Sequence, residues 1–383
     1  MKARRKLAKV LIIAGELSGD IFASGLIKYL KKIKSGTMYY AMGGENLKSE
    51  GAELIAGIDK LAVMGFTEVI CKIKTIKSVL KNVSSWIRLN KPDVVILVDF
   101  PSFNFKIAKL SHKLKIPVVY FIPPKIWASR YKRINFIKRY IKFVITIFPF
   151  ELEIYKKAGI EAYYFGNPLY ELEYKQEAQA KEMSSNYPVI SFLPGSRKTE
   201  LKYHANRIIK SLQLIKSAYK DAFFIFPFRK GIDSSYFAQA LKKKNISQDW
   251  YIITDSVKDA LASSDIIVAA SGTASLEAGF YKKPVIIVYY LNFLTYLIAK
   301  VLVRIKYIGL INIMANKLIV PELIESKFTP QNVFTEIDKI LRDDFYKNSM
   351  IDEISNIIST LKTGVNPLEA SANLIYDKTL KNV

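Results

Sequence analysis

Several short stretches of this sequence carry residues arranged for chemistry. Residues 189–201 read VISFLPGSRKTEL: strand-forming residues from Val189 to Leu193 run through Pro194, Gly195, Ser196 and Arg197 into a charged, helix-like segment. A strand that turns through Gly and Ser into a helix N-terminus presents bare backbone N–H groups, which suit an anion. The Ser196 hydroxyl adds a donor and Arg197 a bidentate fork, enough to hold a diphosphate. By shape alone, an ordinary strand-to-helix turn with Ser196 as N-cap reads equally well. A second stretch, DIIVAASGTASLEAGF at 265–280, repeats the order of strand, small-residue turn and helix. Ser271, Gly272, Thr273 and Ala274 crowd that helix start, and Glu277 lies one turn in. A capping box needs Ser or Thr three residues before the acid, but position 274 is Ala, so Glu277 is left for ribose hydroxyls. Two anion-suited helix starts in one half of the chain fit a nucleotide diphosphate better than a single phosphate.

The first half offers hydroxyl chemistry instead. In KPDVVILVDFPSFNF, Asp99 ends the apolar run Val94–Val98, and ligands of open α/β sheets bind beyond such strand ends. Ser102 is the better-placed N-cap for the helix that follows, so Asp99 can take a proton from a hydroxyl nucleophile. A solvated loop acid is the plainer alternative. The first loop, AGELSGD, sets Glu16 and Asp20 beside Gly15 and Gly19. Carboxylates repel a diphosphate but pair well with sugar hydroxyls, which places the anion in the second half and the hydroxyl-bearing partner near the first.

Other chemistries find little support. Neither loop has the Walker A spacing or G-x-G-x-x-G, so ATP and NAD are disfavoured. No Asp-x-Asp occurs, which argues against a metal-chelated diphosphate and leaves cationic and dipolar groups to stabilise a leaving group. One cysteine, Cys71, excludes an internal disulfide, and with only His112 and His204 beside it a His/Cys metal site is not expected. No cofactor and no metal are therefore expected.

These residues need elements to position them. Apolar runs at 9–14, 37–42, 94–98, 117–121, 143–148 and 162–165 alternate with helix-period segments such as 21–34, with Phe22, Leu26, Leu30 and Ile33 on one face. Phe103, Ile107, Leu110 and Leu114 keep the same spacing after Asp99. Residues 170–187 are polar and acidic and read as a linker. The pattern then restarts, with strands at 188–193, 222–227, 250–253, 265–270 and 284–289. Near-continuous apolar strands alternating with helices mean parallel sheets covered on both sides. The expected architecture is two similar α/β domains facing each other across a cleft, at 1–169 and 170–345, with a helical segment 346–383 packing back on the first.

The 383 residues carry a formal charge of +24, and its distribution matters more than its size. Between Asp99 and Glu151 there is no acid but eleven Lys or Arg, and a second acid-free zone, from Glu277 to Glu322, is strongly apolar. Basic residues interleaved with aliphatic and aromatic ones suit anionic lipid surfaces; a lysine-biased composition on solvated faces is the plain alternative. No helix-turn-helix, zinc-finger or RNP signature supports nucleic acid. The apolar run Val10–Ala14 is too short for a signal peptide, and 284–299 is broken by Asn292 and Thr295, so a cytoplasmic, peripheral membrane protein is expected.

The stretches AGELSGD, LAVMGFTEV, VDFPSFN, IPPKIWASR, PFELEIY, LPGSRKTE and SGTASLEAG, in that order over about residues 9–325, resemble the lipid-A-disaccharide synthase family. The resemblance implies two facing Rossmann-like domains of the GT-B glycosyltransferase type. It implies an inverting transfer from UDP-2,3-diacylglucosamine to 2,3-diacylglucosamine 1-phosphate, giving a β-1,6-linked disaccharide phosphate and UDP at the cytoplasmic face of a bacterial inner membrane. It makes Asp99 the essential aspartate and candidate base, with Glu16 beside it. Ser18 and Asn312 fall at substrate positions, and Gly195, Ser196, Arg197, Ser271, Gly272, Thr273, Ala274 and Glu277 at UDP positions. Family members can be homodimers with exchanged C-terminal elements. Two departures stand out: Gly166-Asn167-Pro168 where Gly-His is common, and Pro101-Ser102-Phe103-Asn104 where Pro-Asp-Phe-Asn is common. Another UDP-sugar transferase or a UDP-sugar epimerase of the same architecture, and a non-catalytic membrane-surface binding protein, are the rival readings. An epimerase needs no second hydroxyl substrate, and a binding protein has no need of Asp99.

Overall fold

The computed structural model describes residues 7–58, 66–174, 187–195, 198–229, 232–270, 272–290 and 306–383. It divides into two compact units, one of residues 1–173 with 361–383 and one of 174–360. The return to the first unit thus falls at 361 and not at 346, because the helix Asp344–Ser359 packs against Gly272–Phe280 and Leu310–Ala315 of the second unit.

In the first unit β1 (Lys9–Ala14), β2 (Met38–Gly43), β3 (Glu53–Gly57), β4 (Val94–Val98), β5 (Val118–Phe121), β6 (Phe143–Thr146) and β7 (Ala162–Tyr164) form one parallel sheet, ordered β3-β2-β1-β4-β5-β6-β7. Pleating sends Val10, Ile12 and Ala14 to one face, with the helix Leu17–Ile33 and the C-terminal helix Pro367–Ile375, and Leu11 and Ile13 to the other. Both faces are therefore dry: β4 is fully apolar, and β1 is apolar from Val10 to Ala14. Each buried Val, Leu, Ile or Phe contributes roughly 1.5–3 kcal/mol. The helical faces expected from Phe22 to Ile33 and from Phe103 to Leu114 pack on these cores.

The second unit repeats the plan. β8 (Val189–Leu193), β9 (Phe223–Pro227), β10 (Tyr251–Thr254), β11 (Ile266–Ala269), β12 (Val285–Tyr289) and β13 (Glu322–Ile324) are parallel in the order β10-β9-β8-β11-β12-β13. The units also share a side-chain device at the amino ends of their central strands. Asp93, just before β4, accepts from the Lys9 N–H of β1 at 2.8 Å, and Asp265, just before β11, accepts from the Val189 N–H of β8 at 2.8 Å. The short edge strands β3 and β13 were not among the strands expected from the sequence.

Both sheets reverse their winding between the first strand and the fourth, at β1/β4 and at β8/β11. Loops diverge there and leave a crevice beyond the carboxyl ends. Asp99 and the AGELSGD loop lie at the first of these points, and Pro194 and Gly195 after β8 and the helix start at Gly272 after β11 lie at the second.

Candidate active site

At the first switch point β4 ends in two non-glycine residues with left-handed backbone, Asp99 at φ +42° and Phe100 at φ +47°. Such residues cost of order 1–3 kcal/mol each and persist where their surroundings dictate them. Here the Asp99 carbonyl accepts from Asn104 Nδ2 and from the Tyr120 hydroxyl, both at 2.6 Å, while its N–H donates to the Ile122 carbonyl at 3.0 Å. Asn104 and Tyr120 are buried, so the carbonyl is fixed and the backbone kink is held rigid. The helix cap expected at Ser102 is instead Phe100, because Pro101 takes the first helical position. The Phe100 ring lies over Gly15, where a Cβ would stand 2.2 Å from its Cγ. Only glycine lets the β1 and β4 loops approach so closely.

Asp99 is half-buried, and burial pushes its carboxyl above the ordinary value, while the Lys125 ammonium and the Phe100 N–H pull it down. Glu16 and Ser18 are exposed around the start of the helix Leu17–Ile33, Glu16 as its N-cap. Asp20 is not available to a sugar. It is fully buried and accepts from the N–H groups of Gly44, Asn46 and Leu47 and from Asn46 Nδ2, capping the 45–49 helix.

The loop after β5 completes this end of the sheet. Ile122 has φ +61°, an outlier for a β-branched residue, and turns the chain into Pro123-Pro124-Lys125-Ile126-Trp127. The helix Pro149–Lys157 buries Glu151 and Tyr155, one turn apart, against this loop. The Tyr155 hydroxyl donates to the Pro124 carbonyl at 3.1 Å, and Trp127 Nε1 donates to Glu151 Oε1 at 2.9 Å. Burial pushes the Glu151 carboxyl up to about 7, opposed by the Trp127 hydrogen bond, Lys125, and the N–H groups of Ile147 and Phe148.

In the second unit, Gly195 follows β8 with φ +116°, and a Cβ there would lie 2.6 Å from Glu200 Oε2. His204 braces the same loop from the helix Lys198–Ala218. It is buried, and because Nε2 accepts from the Tyr290 N–H at 3.0 Å, Nδ1 carries the proton and donates to the Pro194 carbonyl at 2.8 Å. Burial lowers its basicity, against the opposing pull of the Pro194 carbonyl and Glu200. The helix Gly272–Phe280 begins just past β11, with Ala274 in its first turn. Glu277 is buried and engaged by Arg229, whose Nη2 stands 2.6 Å from Oε2. Arg229 also lines a groove of about 460 Å³ beyond β9 and β10 with Phe228, Ile252, Thr254 and Asp255. Ser196, Arg197 and Ser271 lie outside the described residues, and of Gly272 and Thr273 only the helical backbone is described.

Asn312 departs from the substrate position given to it. It is fully buried, donates to the Val320 carbonyl at 2.8 Å and to Glu322 Oε1 at 2.9 Å, and accepts from the N–H groups of Ile319 and Val320. Glu322 in turn accepts from the Ile308 and Gly309 N–H groups. This network shapes the loop around the helix Leu310–Ala315.

Lys125, Trp127, Glu151 and Arg229 were missed as chemistry. Glu151 had a signal, as the first acid after the acid-free tract and at a helix start; Arg229 had only its place after a strand.

The chain matches the family model described as lipid-A-disaccharide synthetase over residues 10–375. It is 33% identical over 366 residues to lipid-A-disaccharide synthase 1 of Legionella pneumophila, covering 93% of this chain and 94% of that one. It is 33% identical over 355 residues to lipid-A-disaccharide synthase of Syntrophus aciditrophicus, with 91% and 92% covered. In fold it is similar to UDP-GlcNAc 2-epimerase from Neisseria meningitidis bound to UDP-GlcNAc, at TM-score 0.63 and 15% identity over 98% of this chain and 100% of that one. A calicheamicin glycosyltransferase gives TM-score 0.62 at 11% identity over 98% and 99%. The two doubly wound sheets are thus those of the GT-B type.

Proposed function

The chain belongs to the lipid-A-disaccharide synthetase family and is a glycosyltransferase of lipid A biosynthesis; from that premise we propose how its residues divide the reaction. The acceptor is 2,3-diacylglucosamine 1-phosphate, bound at the β1/β4 crevice of the first unit, and Asp99 takes the proton of its 6-hydroxyl. The freed oxygen attacks the anomeric carbon of UDP-2,3-diacylglucosamine from the face opposite the phosphate. The bond from that carbon to the diphosphate oxygen breaks, UDP leaves, and the α-linkage becomes β. Glu16 and Ser18, exposed beside Asp99, hold sugar hydroxyls.

The UDP belongs at the β8/β11 crevice, with Gly195, Ser196 and Arg197 on the diphosphate and the 271–274 helix start supplying backbone N–H groups. Glu277 meets the ribose with Arg229 orienting it. No metal is assigned, since the chain has no Asp-x-Asp and Arg197 with the helix dipoles can offset the charge on departing UDP. The basic surface of the first unit holds the enzyme peripherally at the cytoplasmic face of the membrane that carries its acylated substrates.

The observation that carries this reading is the Asp99 carboxyl on a strained, doubly hydrogen-bonded kink at a topological switch point. Strain of that kind clusters at functional sites. The test is UDP release from UDP-2,3-diacylglucosamine in detergent micelles, with and without the acceptor, for the native chain and Asp99→Asn. Acceptor-dependent release that falls roughly 10²–10⁴-fold in the variant, with UDP still bound, is the expected result. Release without acceptor would point to a different UDP-sugar reaction.

A further inference from the structure

Glu151 and Lys125 have no part in the reaction as divided above, yet their placement is built. The helix Pro149–Lys157 touches the 122–128 loop at two points, Tyr155 on the Pro124 carbonyl at 3.1 Å and Glu151 on Trp127 Nε1 at 2.9 Å. These clamps bracket Lys125, an exposed residue in a loop whose neighbours Pro124 and Ile126 are buried. The Phe150 ring meets the Trp127 ring edge-on at 5.0 Å and closes the same contact. The loop is anchored at its start as well, since the Ile122 carbonyl accepts from the Asp99 N–H at 3.0 Å. Lys125 is thereby held where its ammonium acts on both carboxyls, Asp99 and Glu151.

Glu151 is 2% exposed, and its Oε2 has no hydrogen-bond partner among the described residues. The titratable groups around it are Tyr155 on its own helix, Tyr164 on β7 and Lys125 on the loop, with Tyr120 between Tyr155 and Asp99. The tyrosines are neutral and raised further by burial and by the carboxyls. Lys125 is the cation shared by the two acids.

We propose that Glu151 is a positioning residue for the base: it fixes the Lys125 loop through Trp127, and its proton decides which of the two carboxyls the Lys125 ammonium serves. With Glu151 protonated, the ammonium pairs with Asp99 and weakens it as a base. With Glu151 ionised, the ammonium is shared and Asp99 becomes more basic. Only one proton moves, from the Glu151 carboxyl to solvent. The proposal rests on Asp99 acting as the base. Because burial pushes Glu151 up to about 7, the switch falls in the neutral range.

The test is the pH dependence of acceptor-dependent UDP release between pH 5 and pH 9, at roughly the range where such a group titrates, for native protein, Glu151→Gln, Lys125→Met and the double variant. Glutamine keeps an acceptor for Trp127 and cannot ionise. The expected native profile has a step near neutral pH that Glu151→Gln lacks, leaving its rate at high pH about threefold to tenfold below native, the scale of a nearby opposite charge. Lys125 is exposed, so Lys125→Met does not threaten the fold, and in that background Glu151→Gln is expected to change the profile no further. A step that survives in Glu151→Gln, or an equal effect of Glu151→Gln with and without Lys125, overturns the proposal. Asp99→Asn, run alongside, separates the two readings. An inactive Asp99→Asn with an unmoved Glu151→Gln profile overturns only this inference, whereas an active Asp99→Asn overturns both.

Discussion

A carboxyl buried without a matched cation costs the folded state whenever it ionises, and Glu151 makes that cost readable through pH. Its value is 4.5 in the open chain and about 7 in the fold. Below the open-chain value both states hold the proton and stability is full. As pH rises between the two values the unfolded chain ionises first, so stability is lost progressively, and above about 7 the loss is complete. Its size is of order 3 kcal/mol, from about 1.4 kcal/mol per unit. Glu151→Gln is therefore expected to melt several degrees above the native chain at pH 8 and close to it at pH 5, by calorimetry at both. An equal difference at the two pH values would mean that the carboxyl does not titrate in this range. Residue by residue, the sequence singled out Asp99 as an acid directly after five apolar residues, and the structure sets it on a left-handed kink at the end of that strand. The sequence misled at Asp20 and Asn312. Their partners, Gly44 to Leu47 and Ile319 to Glu322, come from other elements, and no local pattern tells a saturated side chain from one offered to a substrate.

At the scale of elements, the central strands were legible because burial on both faces demands unbroken apolar runs. Two of the four edge strands, β3 and β13, were not. β3 is only half-buried, and β13 is three residues long and opens with Glu322, whose carboxyl caps a helix. The first helix starts at Leu17 and not at 21, with Glu16 at the N-cap position two residues after β1. The β8 loop was legible as a turn, but its reasons lie in packing. Gly195 combines a left-handed φ of +116° with Glu200 Oε2 2.6 Å from where a Cβ would stand. The His204 ring holds the preceding carbonyl of Pro194. Gly195→Ala must move either the loop or Glu200, at a cost of about 1–3 kcal/mol for the backbone alone. We expect roughly tenfold weaker UDP binding by titration calorimetry, with the first unit unaffected in limited proteolysis. Native UDP affinity in this variant would remove the β8 loop from the diphosphate site.

For the whole molecule, the chain was readable as two similar α/β domains, and a final helical segment was expected to return to the first. The point of return was not readable. The helix Asp344–Ser359 has the same amphipathic character as its neighbours, and only its contacts with Gly272–Phe280 assign it to the second unit. The charge is a property at this scale too. Of the basic residues between Asp99 and Glu151, Arg133 is half-buried and the others, Lys106, Lys109, Lys113, Lys115, Lys125, Arg130, Lys132, Lys138, Arg139 and Lys142, are exposed with no acid among them in sequence. Among the described residues no helix is long and apolar enough to cross a membrane. Each Lys or Arg near an anionic bilayer contributes about 1 kcal/mol, and that contribution decays within a Debye length of about 8 Å at physiological salt. Co-sedimentation with vesicles should therefore require anionic lipid and weaken steeply as salt rises toward 1 M, where the screening length is about 3 Å. Binding that persists at high salt would transfer the anchor to apolar insertion, for which the acid-free tract between Glu277 and Glu322 is the apolar candidate. Failure to bind anionic vesicles even at low salt would remove the membrane surface from the account and require the acylated sugars to be delivered another way.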